Sequence, residues 1–127
     1  MKIITTYLLS LVLFCLFSCS GSDTYRGLWK ATNSNREKFD IDFAAKSFVI
    51  KDSTGKASTF DYTQNSVSIK NSIETYGIKV SDGRNYNINF PIADDESKGI
   101  ITDGAGYVVY TISRTGYIQY EDISRLK

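Results

Sequence analysis

The sequence contains no histidine and only two cysteines, Cys15 and Cys19, in 127 residues. Without histidine, a Ser-His or Cys-His nucleophile cannot be built within one chain. Zinc, copper and iron sites are also disfavoured, because imidazole and thiolate are the side chains that usually hold these metals. We therefore expect no metal and no cofactor, and only a site made of carboxylates, tyrosine or lysine stays chemically open.

Neither sign of charge is in excess, since 15 Lys and Arg stand against 14 Asp and Glu. No stretch gathers the basic side chains that neutralise a phosphate backbone, so we expect no nucleic-acid partner. Proline is equally scarce, and Pro91 is the only one. Because proline cannot donate a ladder hydrogen bond, it is expected to end a strand or to lie at a sheet edge.

The chain opens with an apolar run. Lys2 supplies one positive charge, and residues 3–17 are then almost all apolar. About 15 residues suit the core of a signal peptide and are short for a membrane-spanning helix, which needs roughly 20. An ordinary cleaved signal and a transmembrane anchor are the alternatives.

The apolar run ends at residues 16–19, which read Leu-Phe-Ser-Cys. This order of an aliphatic residue, any residue, a small residue and cysteine resembles the lipobox of bacterial lipoproteins. The resemblance implies that residues 1–18 are a signal peptide and that Cys19 carries the acyl chains, palmitate among them. Residues 19–24 would then be a tether to the bacterial cell envelope, at the outer membrane rather than the inner one.

Processing at Cys19 would leave 109 of the 127 residues, which is enough for one domain with a modest core. With Cys15 removed and Cys19 acylated, the domain over residues 25–127 would have no disulfide. A small exported domain without such staples depends on its apolar core. The aromatic side chains, chiefly Tyr and Phe, can supply that core.

Alternation of apolar and polar residues runs through most of the chain after residue 24. The clearest case is Phe39, Ile41 and Phe43, with Asp40 and Asp42 between them. A period of two predicts a strand with one buried face and one wet face.

Turn chemistry divides the domain at intervals of about ten residues, and Asp82-Gly83 is the strongest hairpin signal. A turn at residues 64–65 separates two strands over residues 58–63 and 67–69. The last strand covers residues 117–120. Eight or nine strands of this spacing predict an all-β fold, an antiparallel up-and-down barrel like that of lipocalins, with a β-sandwich as the alternative.

The first predicted strand carries Tyr25, Gly27 and Trp29. This Gly-x-Trp resembles the opening strand of calycins, the superfamily of lipocalins, fatty-acid-binding proteins and avidins. The resemblance implies that Trp29 closes one end of the barrel under a cation–π contact from Arg114 or Arg125. It leaves open whether the barrel has a cavity, because eight short strands can be filled by their own side chains.

Residues 103–107 read Asp-Gly-Ala-Gly-Tyr. They are similar to the inhibitory loop of membrane-bound bacterial lysozyme inhibitors, which are small lipoproteins with eight-stranded barrels. That loop is rich in Ser, Gly and Ala and precedes a Tyr. Asp103 stands where that family has Ser, and the family's disulfide is missing.

Several polar or aromatic groups are candidate sites. Four tyrosines crowd the predicted final hairpin and form a possible contact surface, because Tyr is enriched at binding surfaces. They are Tyr107, Tyr110, Tyr117 and Tyr120. Three further groups are either plain solvated surface or a site. The carboxylates of Asp40 and Asp42 could serve as acid and base or bind calcium, and the acidic residues 94–96 could bind calcium. The ladder of Asn85, Asn87 and Asn89 could hydrogen-bond a sugar or a peptide.

Two functions are compatible with this pattern. The first is non-catalytic contact with an unidentified protein, as an inhibitor, an immunity factor or an accessory part of an envelope assembly, and it predicts a filled barrel. The alternative is a lipocalin-like carrier of a small apolar or sugar ligand. A cavity below about 100 Å³ would count against the carrier, because ligand pockets start at roughly 300 Å³. An enzyme would need convergent carboxylates in a cleft, and the spacing offers no such pair.

Overall fold

Residues 24–126 are described by a computed structural model. Eight antiparallel strands pair in sequence order, and the last returns to the first to close a barrel. The strands are β1 (Gly27–Thr32), β2 (Lys38–Phe43), β3 (Ser47–Asp52), β4 (Ala57–Lys70), β5 (Ile73–Val80), β6 (Asn85–Phe90), β7 (Lys98–Asp103) and β8 (Val108–Ser113), and a short helix α1 (Tyr120–Ser124) follows. The predicted all-β up-and-down barrel is confirmed, and the sandwich alternative is wrong.

The core is built from the inward-facing residues of the strands. In β2, Ile41 and Phe43 are buried, whereas Asp42 between them is exposed, as the alternation predicts. The side chains of the core cluster are Tyr25, Trp29, Ala31, Ile41, Phe43, Phe48, Tyr62, Tyr76, Ile78, Val80, Ile88, Phe90, Ile101 and Ile112. Burial of this much aromatic and aliphatic surface is the main stabilising contribution to the barrel.

The barrel closes through a short seam between β1 and β8. Three residue pairs form it, Lys30–Ser113, Ala31–Ile112 and Thr32–Thr111. By contrast, β1 and β2 pair over six residues. The C-terminal segment reinforces the seam, because the buried Thr32 hydroxyl donates a hydrogen bond of 2.5 Å to the carbonyl of Ile118. In α1, Ile123 is fully buried.

Up-and-down order places alternate hairpins at opposite ends of the barrel. The β1–β2, β3–β4, β5–β6 and β7–β8 turns lie at one end, which we call the open end. The β2–β3, β4–β5 and β6–β7 connections lie at the other, the closed end. The described chain starts at the closed end, at Thr24, and returns there after β8.

Strand β4 differs from the prediction, because residues 58–63 and 67–69 belong to one strand of 14 residues. A β-bulge between Gln64 and Ser66 shifts the register against β5. Since a bulge inserts one extra residue, the inward face changes from even-numbered to odd-numbered positions. The sequence shows this as a break in the alternation, which we interpreted as a turn, and that interpretation is wrong.

The strand predicted over residues 117–120 is also wrong. Strand β8 already pairs with both β7 and β1, so β8 has no free edge on which a ninth strand could pair. The chain instead leaves β8 through a bend at residues 114–116, and Tyr120 begins α1. The helix has a capping box in which the Gln119 backbone N–H donates to the Asp122 side chain at 2.9 Å.

Candidate functional site

The closed end is sealed by Trp29 and Arg114. The indole of Trp29 is fully buried, and its Nε1–H donates to the carbonyl of Tyr25 at 2.8 Å. The guanidinium of Arg114 lies over the indole at 3.7 Å from the ring centroid. Arg125, the other candidate for this contact, is an exposed residue after α1.

Arg114 also ties the start of the barrel together. Its Nη2 donates to the carbonyls of Thr24 and Arg26 at 3.1 and 2.7 Å, and its Nη1 donates to Leu28 at 3.0 Å. Burial lowers the pKa of this guanidinium. Gly27 makes room for the side chain, because a Cβ there would lie 3.2 Å from Nη1, and its φ of 95° favours glycine. Gly27, Trp29 and Arg114 thus meet as a structural plug.

The open end holds a cavity of about 300 Å³. Its apolar wall consists of Ile41, Phe43, Phe48, Ile50, Phe60, Ile78, Ile101 and Val109. Four side chains supply polar atoms: Ser58, Arg84, Tyr86 and Tyr110. This volume reaches the lower end of the range of ligand pockets, and a largely apolar wall with a few polar groups is their usual composition.

Arg84 occupies the rim of this cavity and is held by three neighbours. Its side chain is paired with Asp82, at 2.7 Å between Nη2 and Oδ2, and its Nη1 donates to the Tyr86 hydroxyl at 2.8 Å. The guanidinium also lies 5.2 Å from the ring centroid of Phe60. The hydrogen bond between the Arg84 and Asp82 side chains raises the pKa of Arg84 and lowers the pKa of Asp82. A fixed cation therefore stands beside an apolar cavity.

A second bulge shapes the opposite wall. Ile101 pairs with Tyr110, whereas Thr102 pairs with Val108, so Val109 is the extra residue on β8. Both Val109 and Tyr110 border the cavity, although they are adjacent in sequence. Burial raises the pKa of the Tyr110 hydroxyl, and the neighbouring Tyr86 adds to the effect.

The four tyrosines of the predicted contact surface lie on four different segments. Tyr107 is 74% exposed in the β7–β8 turn, and Tyr110 borders the cavity. Tyr117 lies on the outer wall, where its hydroxyl donates to Asp40 at 2.7 Å, and Tyr120 begins α1. The final hairpin that was to unite them is absent from residues 24–126, so only Tyr110 belongs to the cavity.

The acidic and amide groups have identifiable structural partners. Asp40 accepts from Tyr117 and lies 3.5 Å from the Lys30 ammonium, while its neighbour Asp42 is exposed. In the acidic loop, Asp95 accepts from both the backbone and the hydroxyl of Ser97. Within residues 24–126, no group of three or more acidic side chains is placed to hold a metal ion.

The polar ladder of β6 points away from the cavity. Asn89 donates to the Thr75 hydroxyl at 2.7 Å, and Asn85 is exposed. The amides therefore serve the outer wall between β5 and β6. Tyr86, the residue of β6 that lines the cavity, lies on the other face of the strand.

Sequence reasoning left open whether the barrel has a cavity, and it did not single out Ser58, Arg84 or Tyr86 as cavity residues. The inward positions of Phe60 and Tyr86 were readable from alternation, but Arg84 belongs to a turn. Its place over Phe60 depends on how β4 and β5–β6 are staggered around the barrel. No local pattern reports that stagger.

Comparison with known proteins adds no relative. A scan of family models finds no match, and neither do searches of curated proteins and of solved structures. Among residues 24–126, no helix has both the length and the apolar character needed to cross a bilayer.

Proposed function

We propose that the chain is a lipid-anchored binder of a small, largely apolar ligand, which it takes into the open end of the barrel. The observation that carries this proposal is the cavity of about 300 Å³, lined mostly by Ile and Phe side chains. A filled barrel was the expectation for a pure contact protein, so the cavity favours the carrier among the two functions predicted from sequence.

The polar groups of the cavity define the chemistry of the ligand. Arg84 and Tyr86 are at the rim, and Ser58 is exposed there. An apolar body in the cavity would place a hydrogen-bond-accepting or anionic end group beside the Arg84 guanidinium. The ion pair with Asp82 pre-orients the guanidinium, which reduces the entropy lost on binding.

The anchor in this proposal is the acylated Cys19, which lies outside the described residues. The sequence order Leu-Phe-Ser-Cys at residues 16–19 supports it. Acylation would hold the carrier at the surface of the cell envelope, and several acyl chains on one residue anchor stably.

The test is to recover the ligand from the protein. The full chain is purified from membranes, extracted with organic solvent, and the extract is identified by mass spectrometry. Ser58→Trp fills the mouth, whereas the matched control Thr59→Trp places the same side chain on the outward face of β4. We expect a small apolar compound with the wild type and the control, and its loss with Ser58→Trp.

The purified chains are then titrated with anilinonaphthalenesulfonate, an apolar fluorescent anion. We expect saturable binding to the wild type and to Thr59→Trp, and at least tenfold weaker binding to Ser58→Trp. Equal binding by all three chains, or none by the wild type, would contradict the carrier function.

A second candidate function is contact with a protein through the β7–β8 turn, and one observation favours it. Asp103 Oδ1 accepts from the backbone of both Ala105 and Tyr107. The turn thereby presents the exposed Tyr107 ring from a fixed backbone, which suits a contact residue. Cross-linking in intact cells, followed by identification of partners, tests this function. A single partner that is lost with Tyr107→Ala would support it.

A further inference from the structure

At the closed end, β4 extends beyond β3, whereas β5 pairs with β6 as far as Glu74 and the Asp94 N–H donates to the Ser72 carbonyl. Strand β3 pairs with β4 over Ala57–Asp61, and the rest of β4 pairs with β5 on one side. The hairpin turns at Asn71 and Ser72, which both have positive φ as a two-residue hairpin requires. We call residues 65–73 the overhang.

The overhang exposes apolar side chains. Val67 and Ile69 are 50% and 61% exposed. They pair with Tyr76 and Glu74, so they lie on the face that continues the interior of the barrel. Isolated exposed aliphatic residues need no explanation. Here two of them lie on a strand whose other side has no pairing partner, and proteins usually cover such an edge.

The opposite face of the overhang is mostly polar, since it carries Ser68, Lys70 and Thr75, and Ile73 is its one large apolar side chain. Ile73 borders a groove together with Pro91 and Ile92. Leu126, which is 55% exposed, borders the same groove. Only one face of the overhang is therefore apolar, and the position of the chain start beside it decides which surface covers Val67 and Ile69.

The start of the described chain lies beside the overhang. Tyr76, the pairing partner of Val67, donates from its hydroxyl to the Thr24 hydroxyl at 3.1 Å. Cys19 precedes Thr24 by five residues. A fully extended chain spans about 3.3–3.6 Å per residue, so an acylated Cys19 would hold this end of the barrel within about 18 Å of the membrane.

We propose that the overhang docks onto the bilayer that holds the Cys19 lipid, with Val67 and Ile69 in its interfacial region. This inference rests on the lipid anchor of the proposed function. Lys70, beside the turn, can extend its ammonium to the lipid phosphates while its stem stays with the apolar residues. Because the tether keeps the local concentration high, a contact of a few side chains is enough to orient the barrel. The open end then faces away from the membrane.

The test measures the depth of the overhang in vesicles of phosphatidylethanolamine and phosphatidylglycerol. The acylated full chain is reconstituted with Ile69→Cys carrying a nitrobenzoxadiazole fluorophore. The matched control is Ala105→Cys with the same label, since Ala105 is an exposed residue of the open end. Nitroxide groups on the lipids near the headgroup quench the fluorophore only at short range.

We expect quenching at residue 69 to exceed quenching at residue 105 by at least threefold. A further chain, labelled at Ser72→Cys and carrying Val67→Ser and Ile69→Ser, should lose most of the quenching seen with Ser72→Cys alone. These substitutions lie at exposed positions, so the barrel should fold.

Equal quenching at residues 69 and 105 in the acylated chain would overturn the docking proposal alone. An intact mass without acyl chains on Cys19 would overturn both the anchor and the docking. In detergent solution, the label at residue 69 could instead become protected from a soluble quencher as the protein concentration rises. This result would overturn the docking and indicate that a second copy of the chain pairs with the exposed edge of β4.

Discussion

The two ends of the barrel are built from the same eight strands, yet one is filled and the other is hollow. At the closed end, Tyr25 packs against Tyr76 and Phe43, at 5.3 and 5.5 Å between ring centroids, and Trp29 packs against Phe90 at 5.8 Å. At the open end, the small side chains of Ser58 and Val109 leave a cavity of about 300 Å³.

An arginine stands at each end, and the two show the same contrast. Arg114 lies 3.7 Å from the centroid of the buried Trp29 and donates to three backbone carbonyls. Arg84 is paired with an exposed carboxylate and lies over Phe60 and Tyr86 at the rim. One arginine completes the core, and the other leaves a charged donor beside an empty volume. Under the proposed function, the closed end stabilises the barrel and the open end binds the ligand.

The largest expected effect comes from emptying the closed end. Trp29→Ala should lower the free energy of unfolding by about 3–5 kcal/mol, because it removes a fully buried aromatic ring and leaves a cavity. Val109→Ala, at the cavity wall, should cost about 1 kcal/mol or less, since its half-buried side chain already borders empty volume. Urea unfolding measures both, and similar losses would abolish the distinction between the ends.

The two arginines give the next largest contrast. Arg114→Met should cost about 2–4 kcal/mol, because it removes three hydrogen bonds to backbone carbonyls and the contact with Trp29. Arg84→Met removes an exposed ion pair and should cost about 0.5 kcal/mol or less. Urea unfolding of the two variants tests this comparison. A larger loss of unfolding free energy for Arg84→Met than for Arg114→Met would contradict the structural role given to Arg114.

Alkaline pH should weaken the closed end. Burial raises the pKa of Tyr25 and of Tyr62 above the ordinary value of about 10. The unfolded chain then releases these protons at lower pH than the folded chain, so stability is full below about pH 10 and falls as pH rises above it. Thermal unfolding from pH 7 to 11 measures the slope. Tyr25→Phe should make it shallower, and parallel curves for the two chains would contradict this reasoning.

The smallest effect belongs to the outer wall, which serves neither end. The Tyr117 hydroxyl donates to Asp40, and this hydrogen bond raises the pKa of Tyr117. Tyr117→Phe should cost about 0.5 kcal/mol, as expected for a single exposed hydrogen bond. Urea unfolding provides the value, and a loss above about 2 kcal/mol would mean that the C-terminal segment is part of the core.

Much of the barrel could be predicted from local pattern. Alternation gave the inward faces of β2 and β6, and Asp82-Gly83 marked a turn that the structure has between β5 and β6. Resemblance rather than spacing gave Arg114 or Arg125 as the arginine over Trp29, and the structure shows that it is Arg114. These features are local or involve one recurrent motif, which is why a single sequence reports them.

The cavity could not be predicted, because it depends on two bulges and on the stagger of the strands. The bulge in β4 looked like a turn, and the bulge in β8 places Val109 and Tyr110 on one wall. Strand stagger decides which inward side chains meet at one level, and it is a property of the closed sheet. The segment after Ser113 was misread for the same reason, since barrel closure pairs β8 on both sides and leaves that segment no strand beside it.

The measurement that tests the account most directly is a titration followed by two-dimensional NMR. Trp29 is the only tryptophan, so its indole N–H is a unique reporter of the closed end, and the amides of Ser58 and Val109 report the open end. With anilinonaphthalenesulfonate as the ligand, the account predicts saturable shifts at Ser58 and Val109 and none at the Trp29 indole. Absence of saturable shifts at the open end, or shifts centred on Trp29, would contradict it.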